Sequence, residues 1–148
     1  MKRTIILDII TSLFILLFLY TGVNKIIDHQ RFDWALHKSP LLHTAAPVLA
    51  WLVPVGEISI AISLLIPRAR RIGLISSAIL MGIFTIYVGF MLSFRNDRPC
   101  TCGGIIEYMN WHQHLYFNLG FTVMGLLALK IDKKLKQSKI QNSIQYIS

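Results

Sequence analysis

Apolar residues are gathered into four long runs that are separated by short polar segments. The runs cover residues 5–23, 48–66, 72–94 and 111–129. Each is close to the length of about twenty residues that a helix needs to cross roughly 30 Å of hydrocarbon. The pattern therefore predicts an all-α, polytopic membrane protein built as a bundle of four transmembrane helices.

Composition supports this class. Hydrophobic residues make up 54% of the 148-residue chain, charged residues make up 15%, and the mean hydropathy is +0.56. These values are too apolar for a soluble domain of this size. Because the runs use most of the chain, we predict one membrane domain over residues 1–130, followed by a basic tail over residues 131–148.

The segment between the first two runs, residues 24–47, is too long and too aromatic for a simple turn. Phe32 and Leu36 would share one face of a short helix, and Trp34 suits the membrane interface. We expect an amphipathic loop that lies flat on the non-cytoplasmic surface of the membrane.

The net charge of +8 comes from basic residues placed before, between and after the apolar runs, which is a topology signal and not a nucleic-acid signature. We predict cytoplasmic termini, with the segment after residue 94 facing a periplasm-like or extracellular space. Ten basic residues then lie inside and five outside: Lys2, Arg3, Arg68, Arg70, Arg71, Lys130, Lys133, Lys134, Lys136 and Lys139, against Lys25, Arg31, Lys38, Arg95 and Arg98.

Cys100 and Cys102 are the only cysteines, and they lie in the polar break before the fourth run. Two cysteines one residue apart can close a small disulfide ring, with Gly103 and Gly104 supplying backbone freedom. Such a ring should be strained, and strained, exposed disulfides exchange readily. The alternatives are a structural bridge and two unpaired thiols.

Histidines follow the cysteines at the start of the fourth run. His112 or His114 could carry a proton during thiol exchange, because imidazole changes charge near neutral pH. We place His114 with Cys100 and Cys102 among the candidate catalytic residues.

Glu57 falls near the middle of the second run, where a carboxylate is costly and rarely faces lipid. It should point into the bundle and be protonated or pair with a partner such as Asn118 or a backbone group freed by Pro54. The residue is either part of the functional site, which makes it the fourth candidate catalytic residue, or a neutral, hydrogen-bonded packing device.

The chain resembles the methylamine utilisation protein MauE family, within the DoxX-like group of four-helix membrane proteins, over about residues 5 to 130. The resemblance rests on four short motifs: residues 20–25 (Tyr-Thr-Gly-Val-Asn-Lys), Gly56-Glu57, Pro67-Arg68 with Arg70-Arg71, and Cys100-Thr101-Cys102-Gly103.

The resemblance implies a redox role in a bacterial inner membrane, with the cysteine segment in the periplasm. The family is linked to disulfide formation or maintenance in a periplasmic partner, alongside a thioredoxin-like protein. The bundle is also similar to the core of vitamin K epoxide reductase, which brings in a quinone as a candidate cofactor, although that enzyme's Cys-x-x-Cys is absent here.

Three functions follow from these observations. The first is a thiol-disulfide relay, which would make the protein an oxidoreductase. The second is a zinc or copper site formed by Cys100, Cys102, His112 and His114, although histidines two apart on a helix point to different faces. The third is a non-catalytic scaffold subunit of a membrane complex.

Overall fold

The computed structural model describes residues 2–94 and 111–145, and within these residues every regular element is helical. The described residues form five α-helices, with a 3-10 turn at His43–Ala45 before the third: α1 (Lys2–Ile27), α2 (His29–Lys38), α3 (Ala46–Leu65), α4 (Arg70–Phe94) and α5 (Trp111–Gln145).

The four long helices form a closed ring in the order α1, α3, α4, α5. The closest pairings are α1 with α3 and α4 with α5. We call the end of the bundle where α1 and α4 end and α3 and α5 begin the α2 end, because α2 packs there against α3. The opposite end carries the short turn between Leu65 and Arg70.

The main core lies between the four long helices. Phe14 and Phe18 of α1 are stacked with their ring centroids 5.9 Å apart, and Phe121 of α5 meets Phe14 edge to face at 5.4 Å. Edge-to-face aromatic pairs are stabilising beyond the area that they bury. The other buried core residues are Leu7, Ile10, Ala61, Leu64, Leu74, Met81 and Ala128.

Large apolar side chains also cover the outside of the bundle, for example Leu16 and Ile86. In the part of the chain that the structure describes, four helices are long and apolar enough to cross a membrane, at Thr4–Ile27, His43–Leu65, Arg70–Ser93 and His112–Ser138. The outer surface suits lipid tails, which are as apolar as leucine. The predicted four-helix membrane bundle is therefore confirmed.

α2 forms the amphipathic element that the sequence predicted. Phe32 and Leu36 are buried and pack on Ala46 and Ala50 of α3, whereas Trp34 is exposed. The two faces of this ten-residue helix are thus clearly divided.

Two helices extend beyond their apolar runs. α1 continues to Ile27 and not only to residue 23, so that Lys25 is in its last turn and not in a loop. α5 continues without a break from the predicted membrane domain to Gln145. The described part of the predicted tail is therefore a continuation of α5.

Small residues let α4 approach its neighbours. A Cβ atom placed on Gly73 would be 2.9 Å from the Leu64 side chain and 3.0 Å from its backbone nitrogen. Gly125 of α5 is similarly close to the Ala78 Cβ, at 3.2 Å. These contacts set the distances from α4 to α3 and to α5.

At the end of the bundle away from α2, Arg70 donates a hydrogen bond to Asp8 and forms an ion pair with it. The Asp8 side chain is about half exposed. Asp8 lies in the first two turns of α1 and has a cation as its partner.

Candidate functional site

A close contact between α1 and α3 positions the buried charges of the bundle. A Cβ atom on Gly22 would be 3.0 Å from Ile58 Cγ1, 3.2 Å from the Pro54 carbonyl oxygen and 3.3 Å from Glu57 Cβ. A larger residue would separate the helices at this point. Gly22 thus brings the motif at residues 20–25 against the Pro54–Glu57 segment.

Lys25 and Glu57 form a buried ion pair across this contact. Lys25 Nζ donates hydrogen bonds to both carboxylate oxygens of Glu57, at 2.7 Å to Oε1 and 3.0 Å to Oε2. Lys25 is 5% exposed and Glu57 is 1% exposed. Because helical side chains lean toward the N-terminus, the Lys25 side chain reaches back along α1 toward the middle of the bundle.

Aromatic rings and a hydroxyl complete the surroundings of the pair. Lys25 Nζ lies 5.6 Å from the centroid of the Phe32 ring and 5.9 Å from that of Phe84. Cations are attracted to aromatic faces at such distances. The Thr21 hydroxyl lies beside Glu57 and donates its hydrogen bond to the Leu17 backbone oxygen at 2.9 Å.

The ion pair forms part of the wall of a large internal pocket with a volume of about 860 Å³. This volume is within the range of small-molecule and cofactor sites. All five helices contribute to the lining, which is mainly aliphatic and aromatic; examples are Phe18, Leu36, Val53, Phe84 and Phe117.

Three further polar residues line the same pocket: Tyr87, His114 and Asn118. Asn118 Nδ2 donates a hydrogen bond to the His114 backbone oxygen at 2.9 Å, and both residues are buried. The Tyr87 hydroxyl donates to Ser39 Oγ at 3.0 Å, which links α4 to the end of α2. The pocket thus has a few polar groups on otherwise apolar walls.

The structure brings two of the four predicted site residues into one pocket: Glu57 and His114. The predictions for Cys100 and Cys102 concern residues outside the described part of the chain. Their segment nevertheless joins α4 to α5, and Phe90 and His114 near those helix ends line the pocket. The two roles predicted for Glu57 and His114 stay predictions.

The partner of Glu57 differs from the one expected. Asn118 lines the pocket, but the group that pairs with the carboxylate is Lys25, which the sequence analysis assigned to a loop. The signal in the sequence was the spacing of Thr21, Gly22 and Lys25, which lie on one helical face at positions i, i+1 and i+4.

The histidines proposed as metal ligands diverge. α5 begins at Trp111, His112 is exposed, and His114 is buried. Among residues 2–94 and 111–145, no group of three His, Cys, Asp or Glu side chains could hold a metal ion.

The fold and the pocket define a class: a multi-pass four-helix membrane protein with a buried ion pair beside a large apolar cavity. Within this class, the model of the family described as Methylamine utilisation protein MauE matches residues 3–131. The chain belongs to the MauE family, and its family links it to methylamine utilisation. Searches of curated proteins and of solved structures gave no significant match.

Proposed function

We propose that the protein is a membrane thiol-disulfide relay, in which Cys100 and Cys102 exchange with a thioredoxin-like partner on the periplasmic side. The observation that carries the proposal is where the cysteine segment is attached. It joins the ends of α4 and α5 at the α2 end, and these two helices supply Tyr87, Phe90 and His114 to the pocket that contains Lys25 and Glu57.

The chemistry needs only two sulfur atoms and a route for protons. A thiolate of the partner attacks the Cys100–Cys102 disulfide and forms a mixed disulfide, which the partner's second thiolate resolves. The partner loses two electrons and two protons and becomes a disulfide, while Cys100 and Cys102 become thiols. In this direction the protein supports disulfide formation in the partner.

His114 and Glu57 have separate roles in this proposal. His114, buried in the first turn of α5, carries a proton to or from a cysteine during exchange. Glu57 is a positioning residue, because its carboxylate holds the Lys25 ammonium group in the pocket wall.

Trapping the mixed disulfide tests the proposal. When the partner's second cysteine is replaced by serine, no thiolate of the partner can resolve the mixed disulfide with the wild-type chain, so we expect a covalent complex that dithiothreitol releases. Cys100→Ser and Cys102→Ser are the matched controls: the chain has no other cysteine, so neither variant can form the internal disulfide and neither should give this complex.

The double variant Cys100→Ser/Cys102→Ser gives the deciding comparison. We expect the partner to accumulate in its dithiol form when this variant replaces the wild type. A partner that stays fully oxidised, with normal amounts of the variant in the membrane, would contradict the relay. Normal partner oxidation combined with a loss of membrane abundance would favour the scaffold function instead.

A further inference from the structure

The pocket beside Lys25 combines properties that select a ligand with an apolar body and a small polar head. Its described walls are almost entirely aliphatic and aromatic, and the charged side chains among these described lining residues are those of one ion pair on α1 and α3. Its volume of about 860 Å³ exceeds what one or two water molecules need. Water alone would be poorly hydrogen-bonded along such walls.

The ion pair favours a neutral head over a charged one. The Glu57 carboxylate already balances the Lys25 ammonium group, so an anionic head would face like charge within a few ångströms. An ammonium group has three N–H donors. Glu57 oxygens are the only hydrogen-bond acceptors of Lys25 Nζ among the described residues, which leaves a donor for a neutral carbonyl oxygen.

The position of the lining residues indicates entry from the lipid. Leu52 of α3 and Ile83 and Ile86 of α4 line the pocket and are also exposed on the apolar outer surface of the bundle. The pocket therefore meets this surface between α3 and α4. A ligand that dissolves in the hydrocarbon core can enter there without crossing water.

We propose that this pocket binds a membrane quinone, with Lys25 donating a hydrogen bond to one ring carbonyl and the apolar walls holding the ring and the start of the tail. The electron-accepting role of this ligand rests on the relay proposed above. Cys100 and Cys102 form a disulfide and release two electrons and two protons, which convert the quinone to the quinol.

Photolabelling locates the ligand directly. Protein in phosphatidylcholine nanodiscs is labelled with an azido-substituted ubiquinone analogue, and decylubiquinone or palmitate is added as competitor. We expect mass spectrometry to find label on pocket residues of α3 and α4, displaced by decylubiquinone and not by palmitate. Label spread evenly over lipid-facing helices, or displaced only by palmitate, would overturn the proposal.

A pocket-filling variant separates the pocket from the rest of the bundle. A Cβ atom on Gly56 meets nothing within 4 Å, and Gly56 lines the pocket, so the ring of Gly56→Phe would occupy the ligand space. We expect this variant to lose the displaceable label. The control is Gly120→Phe, since Gly120 also has open space around it but lies outside the pocket lining, and this variant should label like the wild type.

The hydrogen bond is tested by removing both charges together. Lys25→Met/Glu57→Met leaves no unpaired charge. The concentration of decylubiquinone that displaces half of the label should rise roughly tenfold to a hundredfold, as expected when a charged donor is lost. Gly56→Phe or the double Met variant binding as tightly as the wild type would overturn the proposed site.

A second readout distinguishes failure of the site from failure of the relay. Cys100→Ser/Cys102→Ser should retain the displaceable label, because the pocket residues are unchanged. Wild-type cysteines, reduced beforehand, should be oxidised by decylubiquinone, and less so in Gly56→Phe. Displaceable label without cysteine oxidation would overturn the acceptor role, whereas exchange with the partner in the absence of any label would overturn the pocket and leave the relay intact.

Discussion

The Lys25 ammonium group and the Glu57 carboxylate stabilise each other only as a pair. Each is nearly excluded from solvent, and each would be a lone charge in an apolar environment without the other. Removing one partner of such a pair generally costs far more than replacing both by apolar residues. The bundle tolerates these charges because Gly22 allows α1 and α3 to approach so closely.

Single and double replacements of the pair should therefore differ in stability. We expect Lys25→Met to lower the free energy of unfolding by about 3–5 kcal/mol, the usual effect of leaving a buried charge unpaired. Lys25→Met/Glu57→Met should be clearly more stable than Lys25→Met. Thermal unfolding in detergent, followed by circular dichroism, measures both.

The control for this comparison is the half-exposed pair of Asp8 and Arg70. Asp8→Asn should change stability by only about 0–1 kcal/mol, as is usual for ion pairs in contact with solvent. An equal effect of Asp8→Asn and Lys25→Met would contradict the account of the buried pair.

The sequence predicts that Glu57 faces into the bundle, but it does not identify Lys25 as its partner. A carboxylate in the middle of an apolar run must turn away from lipid, whatever its neighbours are. Lys25 follows the first apolar run, where a lysine is usually a flanking residue at the interface. Only the tertiary contact of α1 with α3 shows that Lys25 is the buried partner of Glu57 and not a flanking residue at the interface.

At the scale of helices, the close contact between α1 and α3 depends on Gly22, which has no side chain. A Cβ atom at Gly22 would lie 3.2 Å from a backbone oxygen of α3, which cannot move away as a side chain can. The same contact places Lys25, one turn further along α1, against Glu57. The packing of the two helices and the geometry of the ion pair are therefore coupled.

Substitutions at Gly22 should destabilise the bundle in proportion to their size. We expect Gly22→Ala to lower the unfolding temperature and Gly22→Leu to lower it much further, because overpacking forces the helices apart. Gly120→Ala is the matched control, since its Cβ atom meets nothing within 4 Å and alanine is favoured over glycine in helices. It should be neutral or stabilising. A Gly22→Ala variant as stable as Gly120→Ala would show that the contact is not tight.

Helix ends are harder to predict than helices. The four apolar runs identify the long helices because each run has the length of a membrane span. The end of α1 is missed because residues 20–25 include polar side chains that suggest a loop. Thr21 and Asn24 instead donate hydrogen bonds to backbone oxygens one turn earlier, at Leu17 and Tyr20, and so continue the helix.

At the scale of the whole molecule, the ring of four helices places the buried pair, the pocket and the attachment points of the cysteine segment toward the α2 end. The basic turn between α3 and α4 lies at the other end. We infer from the distribution of positive charge that this turn is cytoplasmic, and that the α2 end faces the periplasm, where disulfides persist. The proposed exchange with a thioredoxin-like protein requires this orientation.

Alkylation of the cysteines in intact cells tests the relay most directly, because Cys100 and Cys102 are the only thiols in the chain. A membrane-impermeant maleimide should add nothing to the oxidised protein and two labels after reduction, without permeabilisation. In cells that lack the partner, a larger fraction of the protein should carry Cys100 and Cys102 as a disulfide. Labelling that requires permeabilisation, or a number of labels that reductant never changes, would contradict a periplasmic pair that cycles between disulfide and dithiol.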